Sequence, residues 1–450
     1  MTRVPIGSQE LRILVETVKL AEELKPSQQA KRMVFRKYKI LGTEKDRVLT
    51  AIFYDIMKRL GVIDKVITDI TGIPNILILD PWLRAALRVA VDLLLFNKIS
   101  ETLKNLLKWK VADYISSMTH PYVGMYYWEM FDKILFYKLI PKSKEEELEF
   151  KYLLPSWFIH KMREITKDNN ELEKLLQALN TKLPLSIRIN ILKTNVHEVL
   201  KELRKEGKKP QISPRIPTVI KFEGPHDFDN SKLFREGKII IQEEAAAVAS
   251  LILDPKPGEV VVDMCAAPGG KSEHMAELMK NRGKIYAFDI DKLRIKRMKQ
   301  LLKRAGISIV KIYEEDANKA PEILGEEIAD RVMLDAPCTA SGTLMKNPEL
   351  RWRLRPDGID EIIKLQYKLL KTAIKLVKPG GVILYCTCSL FPEENEELVR
   401  KVLNKYDELK LVPIENPYTQ GFLPGTIRAW PHKHGTIGFF YALLEKRSRA

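Results

Sequence analysis

Apolar residues recur at helical spacing through the first third of the chain. Leu11, Leu14, Val15, Val18 and Ala21 make one stripe within 8–24, and Val48, Ile52, Ile56 and Leu60 make a second within 44–60. Leu83, Leu87, Ala90 and Leu94 make a third within 81–96, opened by Pro81, which suits a first helical turn. The period never settles at two, so residues 1–150 predict a helical bundle. The charge-dense stretch Pro141-Lys-Ser-Lys-Glu-Glu-Glu-Leu-Glu149 reads as a linker or exposed helix. Residues 151–245 mix periods. Ser186-Ile-Arg-Ile-Asn190 alternates like a strand and 196–206 reads as a helix, a short run of mixed elements. From about 246, short apolar runs at 259–263, 284–289, 308–313, 330–335, 382–387 and 437–444 alternate with helical patterns, notably 292–305 and 360–377. Alternating strands and helices predict a mostly parallel sheet covered on both faces. The last run follows no crossover helix of its own.

Length agrees with two or three domains, since 450 residues exceed one ordinary core. The formal charge is 75 − 59 = +16, which favours a polyanionic partner, most simply nucleic acid; a lysine-rich solvated surface is the alternative. Lys31-Arg-Met-Val-Phe-Arg-Lys-Tyr-Lys39 interleaves five basic residues with Phe35 and Tyr38, and reads equally as an RNA contact or a solvated helix face. No apolar run reaches membrane-spanning length, and Met1-Thr-Arg-Val-Pro-Ile-Gly7 has no apolar signal core, so a cytoplasmic protein is expected. The four cysteines, Cys265, Cys338, Cys386 and Cys388, form no CxxC pair. Neither disulfides nor a metal site is expected.

The chemistry concentrates where strands end. Asp263-Met-Cys-Ala-Ala-Pro-Gly-Gly-Lys271 follows one apolar run and precedes a helical pattern, the arrangement in which backbone approaches a bound nucleotide. Gly270-Lys271-Ser272 imitates the end of a Walker A loop, but Cys265 stands where its first glycine is needed. Asp263, Asp289, Asp316 and Asp335 fall at successive strand ends. Asp289 is placed to accept from ribose hydroxyls and Asp316 to meet an adenine edge, whereas Asp291 reads as a helix cap. Two further strand-end segments are Asp335-Ala-Pro-Cys338 and Thr387-Cys388-Ser389.

Together these three segments resemble the Fmu/Sun family of RNA cytosine-5 methyltransferases, which use S-adenosyl-L-methionine. The resemblance implies an α/β Rossmann-like methyltransferase domain over 246–450, with a mostly parallel seven-stranded sheet and 437–444 as its antiparallel strand. Before it would lie an all-α NusB-like RNA-binding domain over 1–150, similar in the order EKDRVLTAIFYDIMKRL…DPWLRAALRVAVDLLLF. Residues 151–245 would form a small α+β RNA-recognition-like subdomain, with Arg188 and Asn190 near the substrate cleft. The implied cofactor contacts are Cys265, Ala266, Ala267, Pro268, Gly269, Gly270, Lys271, Asp289, Asp316 and Asp335.

Cytosine carbon 5 is a poor nucleophile until a thiolate adds to carbon 6, so the reaction needs an activated cysteine, a group on the base edge and a base for the carbon 5 proton. The resemblance makes Cys388 the nucleophile and Cys338 the release residue, with Asp335 on the cytosine edge and Lys271 helping to hold the base. Cys386 faces the same side of its strand as Cys388 and is a rival on spacing alone. Asp335-Ala-Pro-Cys338 lacks the aromatic that amino-group methyltransferases carry at this strand end. The basic segment 346–355 reads either as RNA path or, through Trp352, as core. Pro392-Glu-Glu-Asn-Glu396 reads as a helix start with favourable acids. The expected partner of a monomeric enzyme is RNA, ribosomal before transfer RNA. The alternatives are a DNA cytosine-5 methyltransferase and a noncatalytic RNA-binding assembly factor.

Overall fold

The computed structural model describes residues 5–224 and 226–448, so residues 1–4, part of the expectation for the N-terminus, lie outside it. The chain forms two compact units. One contains the chain up to Leu172 together with Asn347–Arg353; the other contains Glu173–Lys346 and the chain from Leu354.

The first unit is helical. Its helices are Ser8–Glu23, Ser27–Lys37, Glu44–Thr71, Pro81–Val91, Glu101–Met118, Pro121–Leu135, Lys144–Tyr152 and Ser156–Thr166. The three apolar stripes fall on the first, third and fourth. The third outruns its expected end because Ile63, Val66 and Ile67 continue the buried face, and it stops at left-handed Gly72. Helix starts are capped as their sequences allow: Thr43 Oγ1 accepts from Asp46 N, and Asp80 Oδ1 accepts from Trp82 N ahead of Pro81. Phe35 is fully buried, while Lys31 bonds Asp46 and Thr50, and Lys37 and Tyr38 both bond Glu16. Phe35 is therefore core, while Arg32, Arg36, Lys37 and Lys39 stay exposed. The segment Asn347–Arg353 joins the same unit: Trp352 Nε1 donates to Lys58 O at 2.9 Å, its ring fills the space a Cβ would need at Gly61, and Glu349 accepts from Ser27 N. Of its two readings, Trp352 is packing. Among the described residues no helix is long and apolar enough to cross a membrane.

In the second unit, strands β1 (Leu185–Ile189), β2 (Gln211–Ile212), β3 (Val219–Phe222) and β4 (Ile239–Ile241) make a small antiparallel sheet, order β2-β3-β1-β4, with helix Val196–Lys205 packing Val199 and Leu203 into its core. A large sheet follows: β5 (Val260–Asp263), β6 (Lys284–Asp289), β7 (Val310–Glu314), β8 (Ala329–Asp335), β9 (Val377–Thr387), β10 (Leu409–Val412), β11 (Thr419–Gln420), β12 (Ile427–Ala429) and β13 (Phe439–Lys446). Strands β7-β6-β5-β8-β9 are parallel, and β13 closes on β9 antiparallel, as expected of 437–444. The sheet has nine strands rather than seven because β11 and β12, too short to give a period, extend its antiparallel side.

Arg188 of β1 is fully buried and paired with Glu273 and Glu277 of helix Gly270–Leu278, while its Nε donates to Gln242 at 2.6 Å. Asn190 donates to Gly237 O and Ala305 O. Both were expected near the substrate cleft. Both act as internal ties, Arg188 to Gln242, Glu273 and Glu277, and Asn190 to Gly237, Ala305 and Leu192.

Asp92, in the first unit, is fully buried, accepts from Asn97 Nδ2 at 3.0 Å and has no hydrogen bond at Oδ1, where Arg59 Nε stands 3.9 Å away. Burial, then the neighbouring Asp55 charge, push its pKa up to about 8. The unfolded chain ionises this group first, so stability falls as pH rises from about 4 through about 8. Asp92→Asn should remove that dependence. Its melting temperature relative to wild type should climb between pH 5 and pH 9, which thermal denaturation across that range would check.

Candidate active site

The chain leaves β5 toward β6 and β7 on one side and returns through β8 and β9 on the other. The ends of β5 and β8 therefore bound the switch point where ligands of parallel sheets bind. Main-chain bonds hold the turn after β5 across this point: Met264 N donates to Met333 O, Ala266 N to Phe288 O at 2.9 Å, and Ala267 N to Asp289 Oδ2 at 2.9 Å. Arg294 also donates to Ala267 O. Gly269 caps helix Gly270–Leu278 at φ 102, and a Cβ there would lie 2.6 Å from Met298 Cγ, so both backbone and space require glycine. Gly270 has no positive φ, and a Cβ would meet only Gln242 Nε2 at 3.4 Å.

Asp289 uses one oxygen for Ala267 N and the other for Asp291 N, which leaves further lone pairs for ribose hydroxyls. Asp316 Oδ1 accepts from both nitrogens of Asn318, so this acid is also a turn cap. Asp291 caps the following helix through Leu293 N and Arg294 N, as expected. Asp263 is buried. Its Oδ2 accepts from Ser272 Oγ at 2.5 Å, its Oδ1 has no partner, and burial pushes its pKa up to about 7. An orphaned buried carboxyl oxygen under a glycine turn, with a second carboxylate at the next strand end, fits an adenosine-bearing ligand. Ala266 and Ala267 are buried and Pro268 is exposed. Cys265 is partly exposed, with its thiol pKa pushed up by burial and then by Asp335.

Two clusters sit at the ends of β8 and β9. In one, Lys271 Nζ donates to Asp335 Oδ2 at 2.6 Å and lies 5.3 Å from the Phe439 ring centre. Burial disfavours the ammonium, but the charge of and hydrogen bond to Asp335, with Cys386 and Asp263 nearby, together outweigh it and the Lys271 pKa is raised. The thiol of Cys386 faces Asp335 Oδ1 at 3.8 Å. In the other cluster, Cys338 Sγ and Cys388 Sγ stand 3.4 Å apart. The hydrogen bond with Cys388, then burial, raise the Cys338 pKa and keep it a thiol. Cys386 is wholly buried and its pKa is raised by burial and Asp335, whereas Cys388 is partly exposed. Exposure therefore separates the two cysteines that strand spacing leaves equivalent.

This geometry has known counterparts. Residues 250–445 match the family described as 16S rRNA methyltransferase RsmB/F, and residues 154–229 match its ferredoxin-like domain. A probable ribosomal RNA small subunit methyltransferase B of Synechocystis is 36% identical over 314 residues, 69% of this chain and 70% of that protein. The chain belongs to the RsmB/F methyltransferase family. The enzyme from Cronobacter sakazakii, ribosomal RNA small subunit methyltransferase B, is 33% identical over 66% of this chain and 67% of its own. The crystal structure of PH0851 is 58% identical with TM-score 0.92, spanning 98% of this chain and 100% of that one. That of NSun6 from Pyrococcus horikoshii with SFG is 28% identical with TM-score 0.59, over 64% of this chain and 98% of that one. The RsmB/F chain described here is thus a methyltransferase, and its cofactor is S-adenosyl-L-methionine.

One part of this RsmB/F site was not legible beforehand. Pro392-Glu-Glu-Asn-Glu396 is more than a helix start with favourable acids. Glu394, Asn395 and Glu396 are all buried and each ties a different segment. Glu396 pairs with buried Arg428, and Asn395 Oδ1 accepts from Thr387 Oγ1 at 2.6 Å while its Nδ2 donates to Ser389 O. Glu394 accepts from Thr339 and Ser389, the residues after the two cysteines. The run of five polar residues, Glu393 to Glu397, shortly after the Thr-Cys segment was the available signal.

The turn makes a direct prediction. Gly269→Ala combines a left-handed backbone with a clash against Met298, and should destabilise the fold by about 1–3 kcal/mol. It should also weaken S-adenosylmethionine binding more than Gly270→Ala does. Denaturant unfolding and calorimetric titration of both variants would check this.

Proposed function

We propose that this protein methylates carbon 5 of a cytosine in RNA, small-subunit ribosomal RNA first, through a covalent Cys388–cytosine adduct. The carrying observation is the thiol pair: a partly exposed Cys388 within 3.4 Å of a second thiol, beside the Lys271–Asp335 ion pair. The names of its relatives favour ribosomal over transfer RNA.

When bound, S-adenosylmethionine supplies an electrophilic methyl group. Cys388, as thiolate, adds to carbon 6 of the cytosine and turns carbon 5 into the nucleophile. Asp335 holds the amino and ring-nitrogen edge of the base, and Lys271 fixes Asp335 and the base in place. After methyl transfer a base takes the carbon 5 proton, the electrons of that carbon–hydrogen bond restore the 5,6 double bond, the carbon 6–sulfur bond breaks and Cys388 leaves as the thiolate, with Cys338 assisting this release. Cys265 to Lys271, Asp289 and Asp316 hold the cofactor, the turn through its main chain and Asp289 through its carboxylate. A cytosine reached this way must stand outside a helix stack, which favours looped or flipped-out targets.

Two experiments test this reading. Wild type, Cys388→Ala and Cys338→Ala would be incubated with radiolabelled S-adenosylmethionine and unmodified ribosomal RNA, transfer RNA or DNA. Label should enter carbon 5 of cytosine in ribosomal RNA. It should vanish in Cys388→Ala, and Cys338→Ala should accumulate a protein–RNA adduct on a denaturing gel. Label in DNA alone, or in no nucleic acid, would defeat the proposal.

The second concerns the helix Lys292–Ala305, which carries seven Lys and Arg and no acid. Lys292, Lys296, Lys299 and Lys303 repeat along one exposed face over about 16 Å. Like charges at this spacing repel and weaken a helix, a cost that binding RNA phosphates would offset. Replacing Lys296, Lys299 and Lys303 with Gln should lower the slope of log affinity against log salt by about 2. Removing Lys364, Lys368 and Lys371 should change it little. Fluorescence anisotropy with labelled RNA would read both.

A further inference from the structure

We propose that Glu394 is a positioning residue that sets the spacing of the two active-site thiols. The inference rests on the reading of Cys388 as nucleophile and Cys338 as release residue. The two cysteines lie just past the strands, where the β8–β9 ladder no longer fixes them. Its last paired residues are Asp335 and Cys386, followed by one bond from Ala336 N to Cys386 O at 3.0 Å.

Beyond that point Gly342 N donates to Cys388 O at 2.9 Å, Thr339 Oγ1 stands 3.1 Å from Ser389 Oγ, and one carboxylate bonds the residue after each cysteine. Glu394 Oε2 accepts from Thr339 N at 3.0 Å and from Gln366 Nε2 at 2.9 Å. Its Oε1 accepts from Thr339 Oγ1 at 2.5 Å and from Ser389 Oγ. Thr339 follows Cys338 and Ser389 follows Cys388. Gln366 also donates to Pro337 O at 2.9 Å, so Cys338 is fixed from both sides. Tyr385 OH donates to Glu394 O at 2.6 Å and steadies the carboxylate's own backbone. Glu394, Gln366 and Ser389 are wholly buried, and Thr339 is nearly so.

Four donors converging on two oxygens call for an acceptor-only group, which a carboxylate is and an amide is not. Glutamine would turn its NH2 toward two donors at a fully buried position. With both oxygens engaged and no exposure, Glu394 does not reach substrate. It acts through the cysteine loops.

The test uses the full chain as wild type, Glu394→Gln and the milder Thr339→Val, which removes one donor and keeps the protein intact should the first variant fail to fold. Four quantities are read: melting temperature, S-adenosylmethionine affinity, kcat and KM on in vitro transcribed small-subunit ribosomal RNA, and the rate at which diamide joins Cys338 to Cys388. In the last, two thiols lose their hydrogens to diamide, which becomes the hydrazine, and the disulfide is counted by peptide mass. Glu394→Gln should lower kcat at least about tenfold and slow the crosslink by a similar factor, with KM and cofactor affinity within about twofold. Thr339→Val should move both in the same direction by less. Unchanged kcat, or lost kcat with a wild-type crosslinking rate, would overturn the inference. Absence of an RNA adduct from Cys338→Ala would instead count against the reading of Cys388 itself.

Discussion

Parallel pairing of β8 with β9 is the constraint on which the site depends. Because the two strands run the same way, Asp335 and Cys386 end the ladder side by side, and the chemistry-bearing loops leave the sheet together. Pairing of β5 with β8 adds the glycine turn to the same edge. An antiparallel neighbour there would have sent one of these loops to the opposite edge of the sheet. The ion pair of Lys271 with Asp335 then joins the turn after β5 to the end of β8, so that cofactor loop and base-binding acid share one electrostatic contact.

The cysteine pair depends on a different kind of support. Hydrogen bonds of the sheet stop short of it, and a buried polar network takes over. In such a network every donor needs its acceptor, because an unpaired polar group in a dry interior costs about 1–3 kcal/mol. Glu394, Asn395 and Glu396 satisfy Thr339, Thr387, Ser389, Gln366 and Arg428 between them. The same interior keeps Cys386 buried and its thiol protonated while Cys388 reaches the surface. Two cysteines two residues apart, one at the end of β9 and one just past it, thereby acquire different chemistry.

Much of the layout was legible in the sequence because it is encoded locally. The glycine turn, its preceding apolar run and the strand-end acids lie within a few residues of one another, and the helical stripes repeat at their own period. Phe35 and Trp352 were ambiguous because an aromatic residue among basic ones serves a core or a nucleic acid equally well. Only the position of Gly61 under the Trp352 ring decides the latter. From the sequence Arg188 was only a polar residue on a strand, since nothing nearby announces Glu273 and Glu277 as its partners. The acids of 392–396 had an adequate local explanation in the helix that follows, and their true partners come from three distant segments. Strands β11 and β12 are too short to leave any periodic trace.

The helix Lys292–Ala305 has two faces with different occupations. Inward, Met298 fills the space beneath Gly269 and Arg294 holds the carbonyl of Ala267, so the cofactor turn rests on this helix. Outward, it presents its row of lysines to solvent. A rigid rod loaded from both sides transmits load in both directions. The lysines that face solvent and the side chains that support the cofactor turn therefore belong to one fourteen-residue helix, and neither face can be repositioned as a rigid body without the other.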